Sequence, residues 1–213
     1  MYNNFKATYS GSVLKDLFWK ATSTGNVNEF NYWMKKIEEV DPKTGNKKKV
    51  VEWLRETNLA LWSRSHFSPR SKCDILVNNL SESFNSYILE ARELPIISMF
   101  EWIKRKLMQR IQIKKTGIEK YTSKICPNIY DKLEKVKVES RNCFATWCRQ
   151  LEFEVDHFQM RYIVDLSTRT CSYKRWDLSS FPCSHAISAI QINHEQPEVY
   201  MHEYYTKSRY LDT

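Results

Sequence analysis

The stretch Thr170–Ile190 reads TCSYKRWDLSSFPCSHAISAI, and its reading decides the fold. Cys171 follows a strand-like run, and Cys183 and His185 stand two residues apart where a helix begins. Thiolate and imidazole are the ligands zinc prefers, and two such clusters joined by a short loop can close on one tetrahedral ion. Pro182 sets the approach of the chain to Cys183. Ala186, Ile187, Ala189 and Ile190 supply the apolar positions that pack the helix onto neighbouring strands. A module this small has little core, so a metal would stabilise its fold directly. Only three of the usual four ligands stand out.

Upstream of this stretch the pattern is that of strands. Leu151, Phe153 and Val155 alternate with polar residues, a turn follows at Asp156–Gln159, and Tyr162, Val164 and Leu166 alternate again. A third short strand is expected over Cys171–Trp176, where Cys171 and Tyr173, two apart, would share a face. Helices are expected over Ser184–Ile192 and after Pro197.

The earlier chain reads as helices. Ser12–Thr22 carries Val13, Leu14, Leu17, Phe18 and Ala21 at helical spacing. Asn26 with Glu29 resembles a capping box ahead of Phe30, Trp33, Met34 and Ile37. Asp41–Lys49 is a polar loop, after which Val50–Leu61 resumes the helical pattern; Ser63–Cys73 is a further loop and Ser81–Ala91 a helix with Phe84, Tyr87, Ile88 and Ala91 inward. Pro95 opens the longest helix, with an apolar stripe through Ile96, Phe100, Ile103, Leu107 and Ile111. Asn128–Asn142 is the last helix before the strands. Tryptophans such as Trp19, Trp33, Trp53 and Trp102 fall beside other apolar residues and read as core. The fold class is therefore α+β, mainly α: a helical region, 1–145, a small β-hairpin–helix module, 146–195, and a tail, 196–213.

Charge is unevenly distributed. Residues 101–150 hold 13 Lys and Arg against 5 Asp and Glu, while the remainder holds 20 of each, so one segment carries the whole net charge of +8. Lys104, Arg105, Lys106, Arg110, Lys114 and Lys115 are the candidate DNA contacts, and binding through them would be sensitive to salt. A lysine-rich surface helix is the plainer reading. No window offers the roughly 18 apolar residues of a membrane helix, and no membrane partner is expected. The six cysteines are irregularly spaced in a chain too long to depend on disulfides, which points to a reducing compartment. With four glycines there is no phosphate-cradling loop.

The pattern Cys-x-Cys, spacer, Cys-x-His before a helix resembles the SWIM-type zinc finger. Its surroundings, VDLSTRTCSYKRWDLSSFPCSHAISAI, look like the version that ends plant Mutator-like (MuDR) transposases. KDLFWKAT, the DPKTG-interrupted helix pair and the long block LWSRSHFSPRSKCDILVNNLSESFNSYILEARELPIISMFEWIKRKLMQR are similar to the same proteins, so the resemblance spans nearly the whole chain. It implies zinc as cofactor, a nuclear location and an RNase H-like transposase domain, of which 1–145 would be the helical insertion and the end.

The resemblance also implies roles for single residues. Cys171, Cys183 and His185 are its zinc ligands, and Tyr173 stands where the family has its second cysteine. A phenol with a pKa near 10 is a poor ligand at neutral pH. Three outcomes stay open: a three-ligand site with water, recruitment of His157 or Cys148, or loss of the metal, so zinc is expected to be weakly held or lost. Glu82 corresponds to the third of three carboxylates that hold the catalytic metal ions, and the other two belong to a β-rich stretch ahead of the start of this chain. One carboxylate cannot organise two hard cations, so Glu82 is expected to be a vestige and the protein not an enzyme. Two alternatives remain, a protein–protein interaction module with unknown partners and a fragment of an active transposase from a truncated gene model.

Overall fold

A computed structural model describes residues 2–41, 49–76 and 79–212. The expected loop Asp41–Lys49 falls mostly outside them. In chain order the elements are helices α1 (Tyr2–Thr8), α2 (Ser12–Ser23), α3 (Val27–Val40), α4 (Val50–Glu56), α5 (Asn79–Tyr87), α6 (Ile96–Glu119) and α7 (Pro127–Glu139). Strands β1 (Cys143–Arg149), β2 (Glu152–His157), β3 (Met160–Asp165) and β4 (Thr170–Cys171) follow, then α8 (Arg175–Ser179), α9 (Ser184–Ile192) and α10 (Lys207–Leu211). Short 3₁₀ turns fill several connections, including Leu59–Leu61, Glu90–Glu93 and Pro197–Tyr200. The protein is mainly helical with one small antiparallel sheet. None of the described helices is long and apolar enough to cross a membrane.

The chain divides into two compact units, residues 1–76 with 139–200, and residues 77–138 with 201–213. In the first unit, α1 to α4 enclose an aromatic-rich core in which Phe18 stacks on Phe5 and on Trp62 with ring centroids 4.7 and 5.7 Å apart. The Asn26 side chain caps α3 by accepting from Asn28 N and Glu29 N, as the capping pattern predicts. The reciprocal half of the box is absent. Glu29 turns to the Thr24 hydroxyl (2.6 Å) and to the Tyr162 hydroxyl instead, and Asn26 N–H donates to Thr24 Oγ1 at 3.3 Å.

The sheet runs β1-β2-β3-β4, each neighbour antiparallel. Phe153, Val155, Tyr162 and Val164 face α9, matching the alternation read from the sequence. Strand β1 was not anticipated, because it is an edge strand. Phe144 and Trp147 are 70% and 65% exposed, so its large apolar residues do not mark its buried face, which Cys143 and Ala145 carry. The strand expected over Cys171–Trp176 is only Thr170–Cys171. Lys174 N–H donates back to Cys171 O at 2.6 Å with Lys174 in the left-handed region (φ 66°), and Asp177 accepts from Cys171 N–H at 3.1 Å. The chain therefore turns at once into α8.

The helices of this unit meet the sheet module through specific polar contacts. Asn26 Nδ2 donates to Ser172 O (3.3 Å), and Lys174 Nζ donates to Ser65 O (2.7 Å). Gly25 lies so close to the turn that a Cβ there would sit 2.0 Å from the Tyr173 carbonyl oxygen.

In the second unit, α5 ends at Tyr87, earlier than the expected Ala91, and a 3₁₀ turn carries the buried Ala91. Helix α6 forms where Pro95 predicts it, yet none of its residues is buried. Its apolar stripe is present in sequence and uncovered in space. Lys207 Nζ, just after the tail's 3₁₀ turn at Glu203–Tyr205, donates to Glu119 O and Tyr121 O at 2.9 and 2.7 Å and holds the end of α6.

Candidate metal centre

Three residues from two elements converge on one buried point. Strand β4 places Cys171 opposite Val164. Cys183 is the residue immediately before α9, and His185 is the second residue of that helix, 1% exposed. His185 Nδ1 lies 3.8 Å from Cys183 Sγ and 3.9 Å from Cys171 Sγ. All three donor atoms fall within 4.8 Å of one another. Zn–S of about 2.3 Å and Zn–N of about 2.0 Å at tetrahedral angles require S···N separations of about 3.6 Å. The two S···N separations need to contract by only a few tenths of an ångström to hold such an ion. These residues fit zinc.

The two thiols differ. Burial opposes ionisation of Cys183 most strongly, but the Cys171 thiol, His185 and Ala186 N–H all hydrogen-bond to its sulfur, and its pKa falls well below the ordinary thiol value. Cys171 moves the other way, first through its hydrogen bond to Cys183 and then through burial. The Cys183 sulfur lies beside the first turn of α9, where the helix dipole favours negative charge.

Residues 162–192 match the family model for the SWIM zinc finger. The chain carries a SWIM finger. No curated protein and no solved structure matches the chain.

Aromatic rings wall the imidazole of the SWIM finger. Tyr162 stacks on His185 at 4.1 Å, and Tyr173 meets it edge-on at 5.0 Å. Burial pushes the Tyr173 phenol further up, away from the anionic form a metal would take. The Tyr173 ring thus packs against both Tyr162 and His185.

The two residues considered as substitutes separate clearly. Cys148 sits exposed at the irregularity of β1, its thiol 3.6 Å from Thr146 O, and belongs to neither donor cluster among the described residues. His157, at the end of β2, places Nδ1 3.0 Å from His185 Nε2, on the opposite side of the imidazole from the thiols. It belongs to a second cluster, Cys143–His157–His185. Nothing in the sequence spacing singles out Cys143; only the pairing of β1 with β2 sets it opposite His157.

A cavity of about 890 Å³ opens beside the SWIM finger, lined by Glu29, Trp33, His157, Tyr162, Tyr173 and His185 among others.

The basic residues lie apart from the finger in sequence, along α6. At 100° per residue they do not share one face. Lys106, Arg110 and Lys114 follow one another at four-residue steps as a single ridge beside Tyr87, with Arg110 over the Tyr87 ring at 5.6 Å and Lys106 over Trp102 at 5.3 Å. Lys104 and Lys115 project from another side. Arg105 points elsewhere again and pairs with Glu101 at 3.6 Å. Glu82 is exposed in the first turn of α5 and belongs to neither His/Cys/Asp/Glu cluster among the described residues.

Proposed function

We propose that this chain is a transposon-derived, non-catalytic nuclear protein of MuDR type. Its SWIM finger takes zinc through Cys171, Cys183 and His185, and its basic ridge contacts DNA without strong sequence preference. The observation that carries the zinc reading is the convergence of two sulfurs and His185 Nδ1 within 3.9 Å of each sulfur. A bound zinc would supply a cross-link between β4 and the start of α9, an order of stabilisation comparable with the small core around it. With three protein ligands it would be held less tightly than in a four-ligand finger. Zinc stoichiometry on purified protein tests this: about one ion per chain is expected, lost on Cys183→Ser, and a metal-free protein at saturating zinc overturns it.

The DNA reading is supported by the charge of residues 101–150 and by the Lys106–Arg110–Lys114 ridge. Each neutralised phosphate contributes about −0.9 to the slope of log affinity against log salt. A three-cation ridge predicts a slope of about −2.7 on duplex DNA. No retardation of duplex at low salt overturns it.

The non-catalytic reading is supported by one carboxylate being too few to organise two hard cations, Glu82 belonging to neither His/Cys/Asp/Glu cluster among the described residues. Cleavage of DNA with magnesium or manganese that depends on Glu82 would overturn it. A second reading, a protein–protein interaction module, is favoured by α6, where Ile97, Phe100 and Ile113 are 73%, 62% and 70% exposed. The salt-dependent gel shift separates the two.

A further inference from the structure

His185 belongs to both donor clusters, and it can serve only one. A neutral imidazole has one nitrogen lone pair and one N–H. Nδ1 faces Cys171 and Cys183, and Nε2 faces His157 Nδ1 at 3.0 Å. If His185 presents its Nδ1 lone pair to the thiols, its proton must reside on Nε2, and His157 Nδ1 is the acceptor in hydrogen-bond reach. If the proton instead resides on Nδ1, the N–H points at the two sulfurs and the lone pair points at His157 and Cys143.

We propose that His157 is the positioning residue of this centre: by accepting the His185 Nε2–H through its own Nδ1, it holds His185 in the tautomer whose Nδ1 can ligate a metal together with Cys171 and Cys183. The inference rests on the zinc reading above and assigns a role to a residue outside the 162–192 span that matches the SWIM finger.

Three observations carry it. His157 is anchored by the β2 ladder, paired with Cys143 on one side and Met160 on the other, so its ring arrives from a fixed backbone. Tyr162 stacked at 4.1 Å and Tyr173 edge-on at 5.0 Å confine the His185 ring, so the nitrogen facing His157 stays the nitrogen facing His157. Two sulfurs lie on the other side: Cys171 and Cys183 stand 3.9 and 3.8 Å from Nδ1, whereas the cluster with His157 offers the single sulfur of Cys143. The Nδ1 side of the imidazole therefore brings more thiol donors to a metal. An acceptor on the non-ligating nitrogen of a metal-bound histidine orients the ring and raises its basicity, and removing such a partner costs about 10–100-fold in affinity.

The test compares wild type, His157→Gln and His157→Phe in the full chain. Glutamine retains a carbonyl acceptor, and phenylalanine retains a ring that can pack but cannot accept. Zinc affinity is measured by competition with a chelator, and the His185 tautomer by long-range proton–nitrogen spectra of the zinc-loaded proteins. His157→Phe should weaken zinc by about 10–100-fold, with His157→Gln recovering most of the loss. Wild type should show the His185 proton on Nε2. A merely structural role predicts equal loss in both variants, and that result overturns the proposal. So does unchanged affinity in His157→Phe, a His185 proton on Nδ1 in the loaded protein, or a stoichiometry that depends on Cys143 rather than on Cys171. Failure of wild type to take up zinc sinks the zinc reading and this one together, and is seen before any His157 variant is made.

Discussion

The Tyr162 hydroxyl donates to the Glu29 carboxylate, 133 residues earlier in the chain, while the face of the same ring stacks on His185. Strand β3 thus connects the first turn of α3 to the metal centre through one side chain. Thr24 donates to the other Glu29 oxygen, so both oxygens of that carboxylate are engaged. Tyr162→Phe keeps the stack and removes the hydroxyl. Loss of a hydrogen bond to a charged group predicts destabilisation by about 1.5–3 kcal/mol, read as a lower urea midpoint with an unchanged slope.

The same contact predicts an alkaline limit. Burial, and then Glu29, pushes the Tyr162 phenol far above its ordinary value of 10.0, and Tyr200 is pushed up to about 12 by burial and by Glu195. Both are neutral when protonated and have folded values above the unfolded one. Their stabilisation is complete below pH 10 and is lost as pH rises from 10 through the folded values. The urea midpoint should fall over that window, and Tyr162→Phe should flatten the fall. A midpoint independent of pH above 10 would contradict this.

Tyr173→Cys should supply the fourth thiolate. The expected outcome is at least a tenfold tighter zinc complex in chelator competition, together with a less stable metal-free protein, because the ring that packs against Tyr162 at 5.5 Å and His185 at 5.0 Å is lost. Tyr173 is only partly buried, so the loss should fall below the about 3–5 kcal/mol of a fully buried aromatic. Zinc binding that is unchanged by the substitution would show that position 173 does not reach the metal.

Gly25→Ala tests the close approach of the helices to the finger. The added Cβ would meet the Tyr173 carbonyl oxygen at 2.0 Å, a backbone atom that cannot rotate away. Overpacking of this kind costs about 1–3 kcal/mol. Denaturation should show the loss, and Gly117→Ala, with open space around its Cβ, should not show a steric loss.

Replacement of Lys106, Arg110 and Lys114 together by alanine should lower the salt slope of duplex binding by about 2.7. Replacement of Lys104, Arg105 and Lys115, which point to other sides of α6, should lower it by less. Equal effects would mean that the whole helix, rather than one ridge, carries the charge.

Much of the finger was legible because its signals are local. Pro182 and the apolar residues after Cys183 predicted a helix over Ser184–Ile192, and the structure has it with those bounds. Alternation around Phe153 and Tyr162 predicted β2 and β3, since one face of each is buried against α9. Strand β1 and the early turn after Cys171 escaped for opposite reasons. The first is an edge strand whose large apolar residues, Phe144 and Trp147, are exposed, while small Cys143 and Ala145 face the core. The second is decided by Asp177, six residues on, capturing the Cys171 N–H.

By itself, the sequence singled out Cys171, Cys183 and His185 as candidate metal ligands, because donor chemistry and short spacing belong to the residues themselves. It also determined that position 173 would not be a fourth thiolate. Only the tertiary structure decided what surrounds them: Glu29 turned from its own helix cap to Tyr162, Cys143 set opposite His157, and His157 placed at the far nitrogen of His185. Periodicity reports which face of an element is buried. Which distant side chain meets that face depends on strand pairing and on the path of the chain between, and those are properties of the folded whole.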